Sequence, residues 1–492
     1  MPPRKRKDNG DLDMEKKNKR KRDGVPSCDD ESDEEAEIIL PAPMLHGRLL
    51  ICGATNWDLV GRRQLPKGVK NLGGPNLWAP HTVGAMKEQS VRSIISGCCA
   101  AHSVVIDTEG QAYSWGRNDK AQLGHGDTER RDIPTTIESL TGTSIITAAC
   151  GRNHTLFLSE DPLFRTMFPD TEIEKIWQWS RARKIEHGQV YAVGDNKMSQ
   201  LGLGHQGAPV PSPTRIQYKG PPICRVACGA EFSMIADIRG NLYSFGCPEY
   251  GQLGHNTDGK YFVTSNKMTF SCELQPRKVQ VFIEKTREGH VVPVIDVEVQ
   301  DIACGVNHAV MLDRKKRVFT WGFGGYGRLG HTEPKNEMVP RMVKFFEGLN
   351  RGAKMIAAGS SFTMAVNELG ALYLWGKNKP SGEAAMYPKP VSDLSGWQIR
   401  SIGCCNMSIV VAADESIVSW GSFPTYGELG FGDNKPKSST IPQEAKPFDG
   451  IFVHQVSCGF GHALFIARAD SEEEQKNIDG LPEYNPNRNK LN

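Results

Sequence analysis

The stretch that decides the fold runs from Gly110 to Gly126 and reads GQAYSWGRNDKAQLGHG. Its first part, Gln111 to Trp115, mixes small, aromatic and hydroxyl residues at the spacing of a β-strand. Gly116 follows at the point where the backbone must bend. Taken alone, the stretch predicts one strand followed by a turn.

The same pattern returns along the chain. The copies begin at Gly188, Gly240, Arg317, Gly370 and Ser416 and read GQVYAVGDNKMSQLGLG, GNLYSFGCPEYGQLGH, RVFTWGFGGYGRLGH, GALYLWGKN and SIVSWGSFPTYGELGFG. One small unit is therefore repeated over most of the 492 residues, and the 51 glycines fit a chain with many tight turns.

A second motif precedes the first: an apolar residue, Cys-Gly, two variable residues, histidine, a small residue and then alternating apolar residues. It occurs seven times, and we place the following residues at its histidine position: His102, His154, Phe232, His308, Phe362, Met407 and His462. The last copy has no second half behind it, whereas RLLICGATNWDLVG after Gly47 is a second half with no first half. We expect these two orphan halves to form one unit shared between the chain ends.

The repeat length selects the architecture. His102 and His154 are 52 residues apart, the size of a four-stranded propeller blade, and an open solenoid has no reason to split one repeat between its ends. Pairing the first strands with the last also removes the exposed sheet edges. We predict an all-β, seven-bladed β-propeller over residues 41–468, with residues 1–40 as a disordered tail and 469–492 as a flexible one.

Composition excludes several classes of protein. The formal net charge is only +2, so the whole chain is not a polycation drawn to nucleic acid. No stretch approaches the roughly 20 apolar residues that span a bilayer, and the N-terminus is charged, so we expect neither a membrane span nor a signal peptide. We expect a monomer.

The 13 cysteines do not indicate a metal site. Four of them, Cys150, Cys228, Cys304 and Cys458, precede a glycine at one point of the repeat, which is typical of small buried strand residues. A zinc site needs close pairs such as C-x-x-C, and the sequence has none. We predict no metal and no cofactor, and a reducing compartment.

Repeated histidines and tryptophans invite a catalytic interpretation. His125, His205, His255 and His331 follow Leu-Gly, and a second set comprises His102, His154, His308 and His462. Equivalent positions lie on different blades, so we interpret these histidines as hydrogen-bonding residues that hold each blade together. We interpret Trp115, Trp321, Trp375 and Trp420 as packing between blades. No nucleophile elbow, Walker loop or zinc-protease helix is present, and no catalytic residue is predicted.

The paired signatures CGxxHT and YSWGxNxxxQLG resemble the repeats of the regulator-of-chromosome-condensation family over about residues 45–468. The resemblance implies a seven-bladed propeller that acts on small GTPases, the family founder being a nucleotide-exchange factor that uses a projecting β-hairpin as a wedge. It also implies GTPases of the Rac, Ral and Arf type, chromatin and centromere proteins, and microtubules as partners. Implied locations are the nucleus and nucleolus in interphase, chromosomes, centromeres and the spindle midzone in mitosis, and some cytoplasm.

Two intervals exceed the repeat length, and insertions in repeat arrays map to loops. Residues 159–187 depart from the family pattern, and we assign them no function. In the second insertion, 257–294, strand-like runs at 279–285 and 290–295 flank a polar stretch containing Gly289, which predicts a projecting hairpin. We predict that its tip contacts the GTPase, Lys285 and Arg287 facing acidic groups. The residues of this tip are Lys285, Thr286, Arg287, Glu288, Gly289, His290, Val291 and Val292.

The first 40 residues carry charge blocks rather than a fold signal. An acidic run, Asp29 to Glu37, follows two basic clusters, and such blocks remain solvated. We interpret the clusters as a two-part nuclear localisation signal for a nuclear import receptor; a solubilising tail is the alternative, and contact with DNA or tubulin is a further role. The basic residues are Arg4, Lys5, Arg6, Lys7, Lys16, Lys17, Lys19, Arg20, Lys21 and Arg22.

Three functions are compatible with the sequence. The first is a regulator of small GTPases in mitosis, by exchange or by sequestration. The second is a chromatin- and microtubule-binding scaffold without exchange activity. The third is a hydrolase with acids at the central channel, for which the sequence offers no residue pair.

Overall fold

Seven antiparallel sheets follow one another along the chain, each an up-and-down arrangement of four principal strands. They are the blades of the predicted all-β propeller, and the fold class is confirmed. The computed structural model describes residues 45–62, 74–160, 188–286, 288–422 and 426–486. The basic clusters of the N-terminal tail and most of the insertion at 159–187 lie outside these ranges.

Blades 1 to 3 come first along the chain, and the strands of each blade run in order from the innermost to the outermost. Blade 1 contains β3 (Val91–Ile95), β4 (His102–Asp107), β5 (Ala112–Gly116) and β6 (Arg131–Thr136). Blade 2 contains β7 (Ile145–Cys150), β8 (His154–Ser159), β9 (Val190–Asn196) and β10 (Gly207–Arg215). Blade 3 contains β11 (Ile223–Cys228), β12 (Phe232–Asp237), β13 (Leu242–Gly246) and β16 (Glu273–Lys278).

Blades 4 to 6 have the same order. Blade 4 contains β19 (Val299–Cys304), β20 (His308–Asp313), β21 (Val318–Gly322) and β22 (Glu337–Met342). Blade 5 contains β23 (Ala353–Ala358), β24 (Phe362–Asn367), β25 (Leu372–Gly376) and β26 (Ala385–Pro390). Blade 6 contains β27 (Ile399–Cys404), β28 (Ile409–Ala413), β29 (Ser416–Gly421) and β30 (Ser439–Glu444). Short 3₁₀ turns lie at Gly84–Met86, Glu138–Leu140, Gly325–Gly327, Lys344–Phe346, Ser392–Leu394 and Lys446–Phe448.

Blade 7 joins the two ends of the chain. Its inner strands are β31 (Val453–Cys458) and β32 (His462–Ala467), and its outer strands are β1 (Arg48–Ala54) and β2 (Asn76–Val83). Strand β1 pairs with β32 in continuous register, from Arg48 opposite Ala467 to Gly53 opposite His462. The predicted ring closure is therefore observed.

The hydrophobic core lies between neighbouring blades. The second strand of a blade is buried on both faces, since a blade packs on each side; β8 and β32, for example, are buried at every residue. The tryptophans fill the spaces between blades: Trp321 shares one cluster with Phe232 of blade 3, and Trp375 shares another with Val310 of blade 4. This confirms their interpretation as packing residues.

Residues 469–486 contain a helix and a strand, so the prediction of a flexible tail was wrong for this segment. Helix α1 (Glu472–Asp479) begins at a capping box in which Ser471 Oγ accepts from the Glu474 backbone N–H, and Ile478 is buried in the core of blade 7. Strand β33 (Glu483–Tyr484) then adds to β2 in parallel, and the Tyr484 hydroxyl donates to the Asp132 carbonyl of blade 1 at 3.0 Å. The segment therefore fastens the closing blade to its neighbour.

Among the described residues, no helix is long and apolar enough to cross a bilayer.

Candidate interaction site

The predicted hairpin in the second insertion is present. Strands β17 (Ile283–Lys285) and β18 (Val291–Pro293) pair antiparallel, with Lys285 opposite Val291. Ile283 also makes a parallel bridge to Arg341 of β22, so the hairpin lies against the outer edge of blade 4. Both strands are shorter than the predicted runs.

The tip of this hairpin is held by its own backbone. The Thr286 N–H donates to the His290 carbonyl at 2.9 Å, and the Gly289 N–H donates to the Thr286 carbonyl at 3.0 Å. Gly289 has the positive φ that its position predicts, 88°. Residues 288 to 293 are exposed, Val291 being 57% accessible, whereas Arg287 lies outside the described residues.

Lys285 does not extend freely into solvent. Its Nζ lies 2.8 Å from Glu337 Oε1 and 3.9 Å from Glu333 Oε1, and Arg341 pairs with the same two carboxylates at 2.7 and 3.0 Å. The hydrogen bonds from Lys335 and Arg341 lower the pKa of Glu333 to about 2. The ammonium of Lys285 therefore ties the hairpin to blade 4. The exposed side chains described at the tip are Glu288, His290, Val291 and Val292.

A second hairpin, which was not predicted from the sequence, projects from blade 3. Strands β14 (Lys260–Thr264) and β15 (Lys267–Phe270) pair with each other around a two-residue turn, and with no other strand that the structure describes. Every residue of β14 is exposed, and Phe262 is 70% accessible. The sequence does contain a hairpin pattern here, because aromatic and β-branched residues flank the polar pair Ser265 and Asn266.

The two hairpins concentrate exposed apolar surface. Of the 15 large hydrophobic residues exposed in the described part of the chain, nine lie between residues 261 and 295. They are Tyr261, Phe262, Val263, Met268, Leu274, Val281, Val291, Val292 and Ile295. Exposed apolar side chains on a projecting hairpin are candidate contacts for a partner protein.

The hairpins leave the ring at opposite ends of the blades. The first in the chain follows β13 within blade 3, between its third and fourth strands, whereas the second connects the outermost strand of blade 3 to the innermost strand of blade 4. Because successive antiparallel strands alternate in direction, these two connections start from opposite faces. They provide two separate candidate surfaces.

The histidines form two kinds of contact, and one differs from the prediction. Histidines after Leu-Gly bond within their blade, as predicted: His125 Nε2 lies 3.0 Å from Ser114 Oγ, and His331 Nε2 lies 2.9 Å from Thr320 Oγ1. The other set bonds the hydroxyl of the next blade rather than its own. Its pairs are His102–Thr155 at 2.9 Å, His154–Ser233 at 2.9 Å, His308–Thr363 at 3.0 Å and His462–Ser103 at 2.7 Å.

Strand register corrects one position of the motif. Cys150 lies opposite Thr155, and Cys404 lies opposite Ile409, so Ile409 is equivalent to Thr155 and the residue before it occupies the histidine position. That residue is Ser408, not Met407. Its hydroxyl donates to Glu428 Oε1 of its own blade at 3.0 Å.

The glycine of the CGxxH motif makes room for the imidazole. A Cβ atom at Gly151 would lie 2.4 Å from His154 Nδ1, and one at Gly305 would lie 2.4 Å from His308 Nδ1. Any larger residue would collide with a ring that cannot move, since both faces of the strand are packed. The spacing of glycine and histidine in the motif is therefore required for the contact between neighbouring blades.

These imidazoles are neutral structural groups. The Thr155 hydroxyl donates to the Gln122 carbonyl at 2.8 Å, so its oxygen accepts from His102 Nε2, and Nδ1 of all four rings is buried without a partner in the described chain. Burial lowers the pKa of His102, His154 and His462 to about 3. A group with such a pKa is no general base at neutral pH.

The central channel is narrow and non-ionic. It has a volume of about 250 Å³, and Ala, Val, Ile, Gly, Ser and Cys side chains from the inner strands line it. Cys150 and Cys228 end inner strands as predicted, and burial raises the pKa of Cys228 to about 12. Within the described ranges, no group of three or more His, Cys, Asp or Glu residues is arranged to hold a metal ion. This lining supplies no acid–base pair for hydrolysis.

Solved structures share this fold. The chain superposes on yeast RCC1 (Prp20) bound to Kap60 with a TM-score of 0.64 and 18% identity, over 94% of this chain and 99% of that one. A second structure, Prp20p from Saccharomyces cerevisiae, gives a TM-score of 0.62 at 19% identity, over 90% and 95% of the two chains.

Sequence comparisons are more specific. The RCC1-like domain profile matches residues 172–465, and the regulator of chromosome condensation (RCC1) repeat matches residues 109–158. The chain is 56% identical to Protein RCC2 of Homo sapiens, over 89% of this chain and 80% of that protein, and 54% identical to the Protein RCC2 homolog of Danio rerio, over 92% and 87%. Segments beyond the repeat pattern, such as ACGAEFSM and LYSFGCPEYGQLGHN, likewise resemble the second regulator-of-chromosome-condensation protein, also called the telophase disc protein. With its repeats, its ring of seven blades and these identities, the chain belongs to the regulator of chromosome condensation (RCC1) repeat family, a family with a regulator-type role.

Proposed function

We propose that this protein regulates small GTPases of the Rac, Ral or Arf type, either by promoting nucleotide exchange or by sequestering the GTPase. The observation that carries the proposal is the pair of hairpins that present exposed apolar residues from a rigid ring. A rigid support limits the ordering entropy lost on binding, so such loops are suited to hold a partner protein. The structurally similar Prp20p is described as binding Gsp1p and histones.

The proposed mechanism is a shift in population rather than covalent catalysis. An exchange factor binds the nucleotide-free GTPase more tightly than the loaded form, so nucleotide and Mg²⁺ leave faster. A hairpin that enters the nucleotide site achieves this by displacing the phosphate contacts. Sequestration needs only the binding surface, and leaves the release rate unchanged.

We assign the GTPase contact to the tip of the β17–β18 hairpin, residues 286–292. Val291 and Val292 are 57% and 38% accessible and stand on the strand that is not bonded to blade 4. The ion pairs of Lys285 with Glu337 and Glu333 hold the tip in place, which reduces the entropy lost on binding. Lys285 is thus a positioning residue of the proposed site.

The test combines binding with nucleotide release. Fluorescent GDP release from purified Rac, Ral, Arf and Ran is measured with the wild-type protein and with Val291→Asp/Val292→Asp. We expect one of these GTPases to bind, and the variant to bind it at least about tenfold more weakly, since charges enter an apolar contact. Thermal stability should stay near wild type because both valines are exposed.

Ile441→Asp is the matched control, because Ile441 is an equally exposed residue (56%) on outer strand β30 of blade 6. Phe262→Asp probes the β14–β15 hairpin in the same assay. Unaltered affinity in the valine variant, with loss in Phe262→Asp, would move the contact to the other face. Absence of both binding and altered release with Rac, Ral and Arf would remove the proposal, whatever the result with Ran.

A scaffold role on chromatin and microtubules is the second candidate. The basic clusters between Arg4 and Arg22 favour it, as they provide a positively charged stretch of sequence that precedes the repeats. The same clusters support recognition by an import receptor, and the structurally similar yeast RCC1 (Prp20) was solved bound to Kap60. We propose nuclear and nucleolar localisation in interphase, and association with chromosomes, centromeres and the spindle midzone in mitosis.

Deletion of residues 1–40 separates the two roles. We expect the truncated protein to lose nuclear accumulation, chromosome association and microtubule co-sedimentation, while GTPase binding and the melting temperature stay at wild-type values. Chromosome association that survives the deletion would place the chromatin contact on the propeller instead.

A further inference from the structure

Two cysteines stand face to face at the root of the β14–β15 hairpin. Gly246, the last residue of β13, lies opposite Glu273, the first residue of β16, in the antiparallel ladder. The next pair outward in the same register is Cys247 and Cys272. Directly opposed residues of antiparallel strands have Cα atoms about 4.5–5.5 Å apart, within the range that a disulfide bridges.

The two thiols already interact and differ in access. Their mutual interaction raises the pKa of the Cys247 thiol and lowers that of Cys272. Cys247 is 1% accessible, whereas Cys272 is half-buried and reached by solvent. An accessible thiol that ionises more easily, next to a buried second thiol, is the arrangement of an oxidation-sensitive pair.

From this geometry we propose that Cys247 and Cys272 form a reversible disulfide that closes the loop carrying the β14–β15 hairpin, with a hydroperoxide as the oxidant. The Cys272 thiolate attacks the peroxide oxygen, giving a sulfenic acid at Cys272 and releasing an alcohol or, from hydrogen peroxide, water. The Cys247 sulfur then attacks the sulfenyl sulfur and forms the S–S bond, and the sulfenyl hydroxyl leaves as water with the Cys247 proton. The two thiols together transfer two electrons to the peroxide, and a thiol reductant returns the disulfide to two thiols.

The consequence is confinement of an otherwise weakly held element. The bond would enclose the 24 residues from Pro248 to Ser271, which include both hairpin strands. At the base of the hairpin the Ser271 N–H donates to the Gly259 carbonyl at 2.8 Å, and β14 and β15 pair with none of the described strands of the ring. An isolated two-stranded hairpin is marginally stable, so a covalent closure reduces its local opening.

Other cysteines of the described chain do not offer the same pair. Cys98 and Cys99 also influence each other's pKa, but consecutive Cα atoms are about 3.8 Å apart, closer than an ordinary disulfide allows. Cys405 and Cys458 interact inside the core, where both are buried and no oxidant reaches them. This proposal stands independently of the GTPase assignment.

Mass spectrometry of the full-length protein tests the bond. After treatment with hydrogen peroxide at neutral pH and thiol blocking, trypsin should yield peptide 240–260 linked to peptide 268–277, and dithiothreitol should separate them. Cys272→Ser should lack the linked product, whereas Cys224→Ser, which removes another half-buried thiol, should retain it. Oxidation of Cys272 to a sulfinic acid while the two peptides stay separate would overturn the proposal, as would its linkage to a different cysteine.

Limited proteolysis tests the confinement. The exposed Lys260 and Lys267 are trypsin sites inside the closed loop, and we expect their cleavage in the native protein to slow about tenfold on oxidation. Cys272→Ser should show no such change under the same peroxide. Equal cleavage rates in the disulfide-bonded and reduced wild-type proteins would overturn the claim that the bond restrains the hairpin.

Discussion

The two junctions on either side of blade 3 pack equivalent residues differently, one through a polar contact and the other through an apolar contact. Between blades 2 and 3, the His154 ring donates to the Ser233 hydroxyl. Between blades 3 and 4, the equivalent positions hold Phe232 and Ala309, which belong to one apolar cluster. The difference shows that the repeat varies in pairs across a junction, and not one residue at a time within a blade.

The pairing holds around the whole ring. Wherever a blade has histidine, the next blade has serine or threonine, and where it has phenylalanine the next blade has alanine or isoleucine. At the junction of blades 6 and 7, Ser408 turns to Glu428 and faces no hydroxyl, since Ala463 follows His462. The apparent decay of the CGxxH motif in blades 3, 5 and 6 is therefore matched by the neighbouring blade.

Acid should weaken the polar junctions most. In the unfolded chain an imidazole takes a proton below about pH 6.5, whereas His102, His154 and His462 resist protonation until about pH 3, so stability is present above pH 6.5 and lost as the pH falls. At pH 5 each imidazole lowers the free energy of unfolding by about 2 kcal/mol, and the three together lower it by about 6 kcal/mol. Urea unfolding at pH 7.5 and pH 5 measures the loss.

The variant His154→Phe/Ser233→Ala converts one polar junction into the apolar kind and serves as the internal comparison. Carboxylates titrate equally in both proteins, so the variant should lose about 2 kcal/mol less than wild type between the two pH values. An identical acid loss would show that the buried imidazole is not the group responsible.

Mismatching one apolar junction should have a smaller but still large effect. Phe232→His places an imidazole beside Ala309, which offers no hydroxyl, so the variant loses ring packing and buries an unsatisfied polar group. We expect a loss of about 3–4 kcal/mol in the free energy of unfolding. Denaturant titration at pH 7.5 gives the value.

The rescue is more informative than the loss. Adding Ala309→Ser to Phe232→His supplies the missing hydroxyl, and we expect about 1–2 kcal/mol to return. Ala309→Ser alone should be neutral or mildly destabilising. Strict additivity of the two changes would mean that the pairs around the ring are coincidental.

A smaller change in stability is expected at Glu428. This residue precedes Leu-Gly in blade 6, where blades 1 to 3 have Gln122, Gln200 and Gln252. Burial raises its pKa to about 7, so its contribution is complete below pH 4.5 and is lost as the pH rises through 7, the reverse of the histidines. Glu428→Gln should therefore stabilise the protein by about 2.5 kcal/mol more at pH 8 than at pH 5. Thermal unfolding of the wild type and the variant at the two pH values measures this difference. Equal shifts in melting temperature at both pH values would contradict a raised pKa at Glu428.

Repeat counting was enough to predict the ring and its closure, because glycine and aromatic signals recur at fixed offsets. It could not predict the partner of His154 in the next blade. That contact joins two repeats, and their relative orientation is set only when the ring has folded. The assignment of Met407 to the histidine position was wrong for the same reason. The strand register, and not the sequence motif, identifies Ser408 as the equivalent residue.

At the candidate site, the hairpin around Gly289 was predictable from alternation and turn chemistry, whereas the ion pair of Lys285 with Glu337 was not, because the partners are far apart in sequence. The C-terminal segment was misjudged because its helix is charged on most positions. Its attachment depends on Ile478 and Tyr484, which are too few to make a periodic signal.

Ring closure by both termini constrains how the protein is made. On the ribosome, β1 emerges before all other described strands, yet its partner β32 appears only after the strands of blades 1 to 6 have been synthesised. Until then β1 and β2 present an unpaired edge of apolar residues that is open to other nascent chains. A premature stop anywhere before residue 462 would leave that edge permanently uncovered, so such fragments should be substrates for chaperones and not partially active proteins.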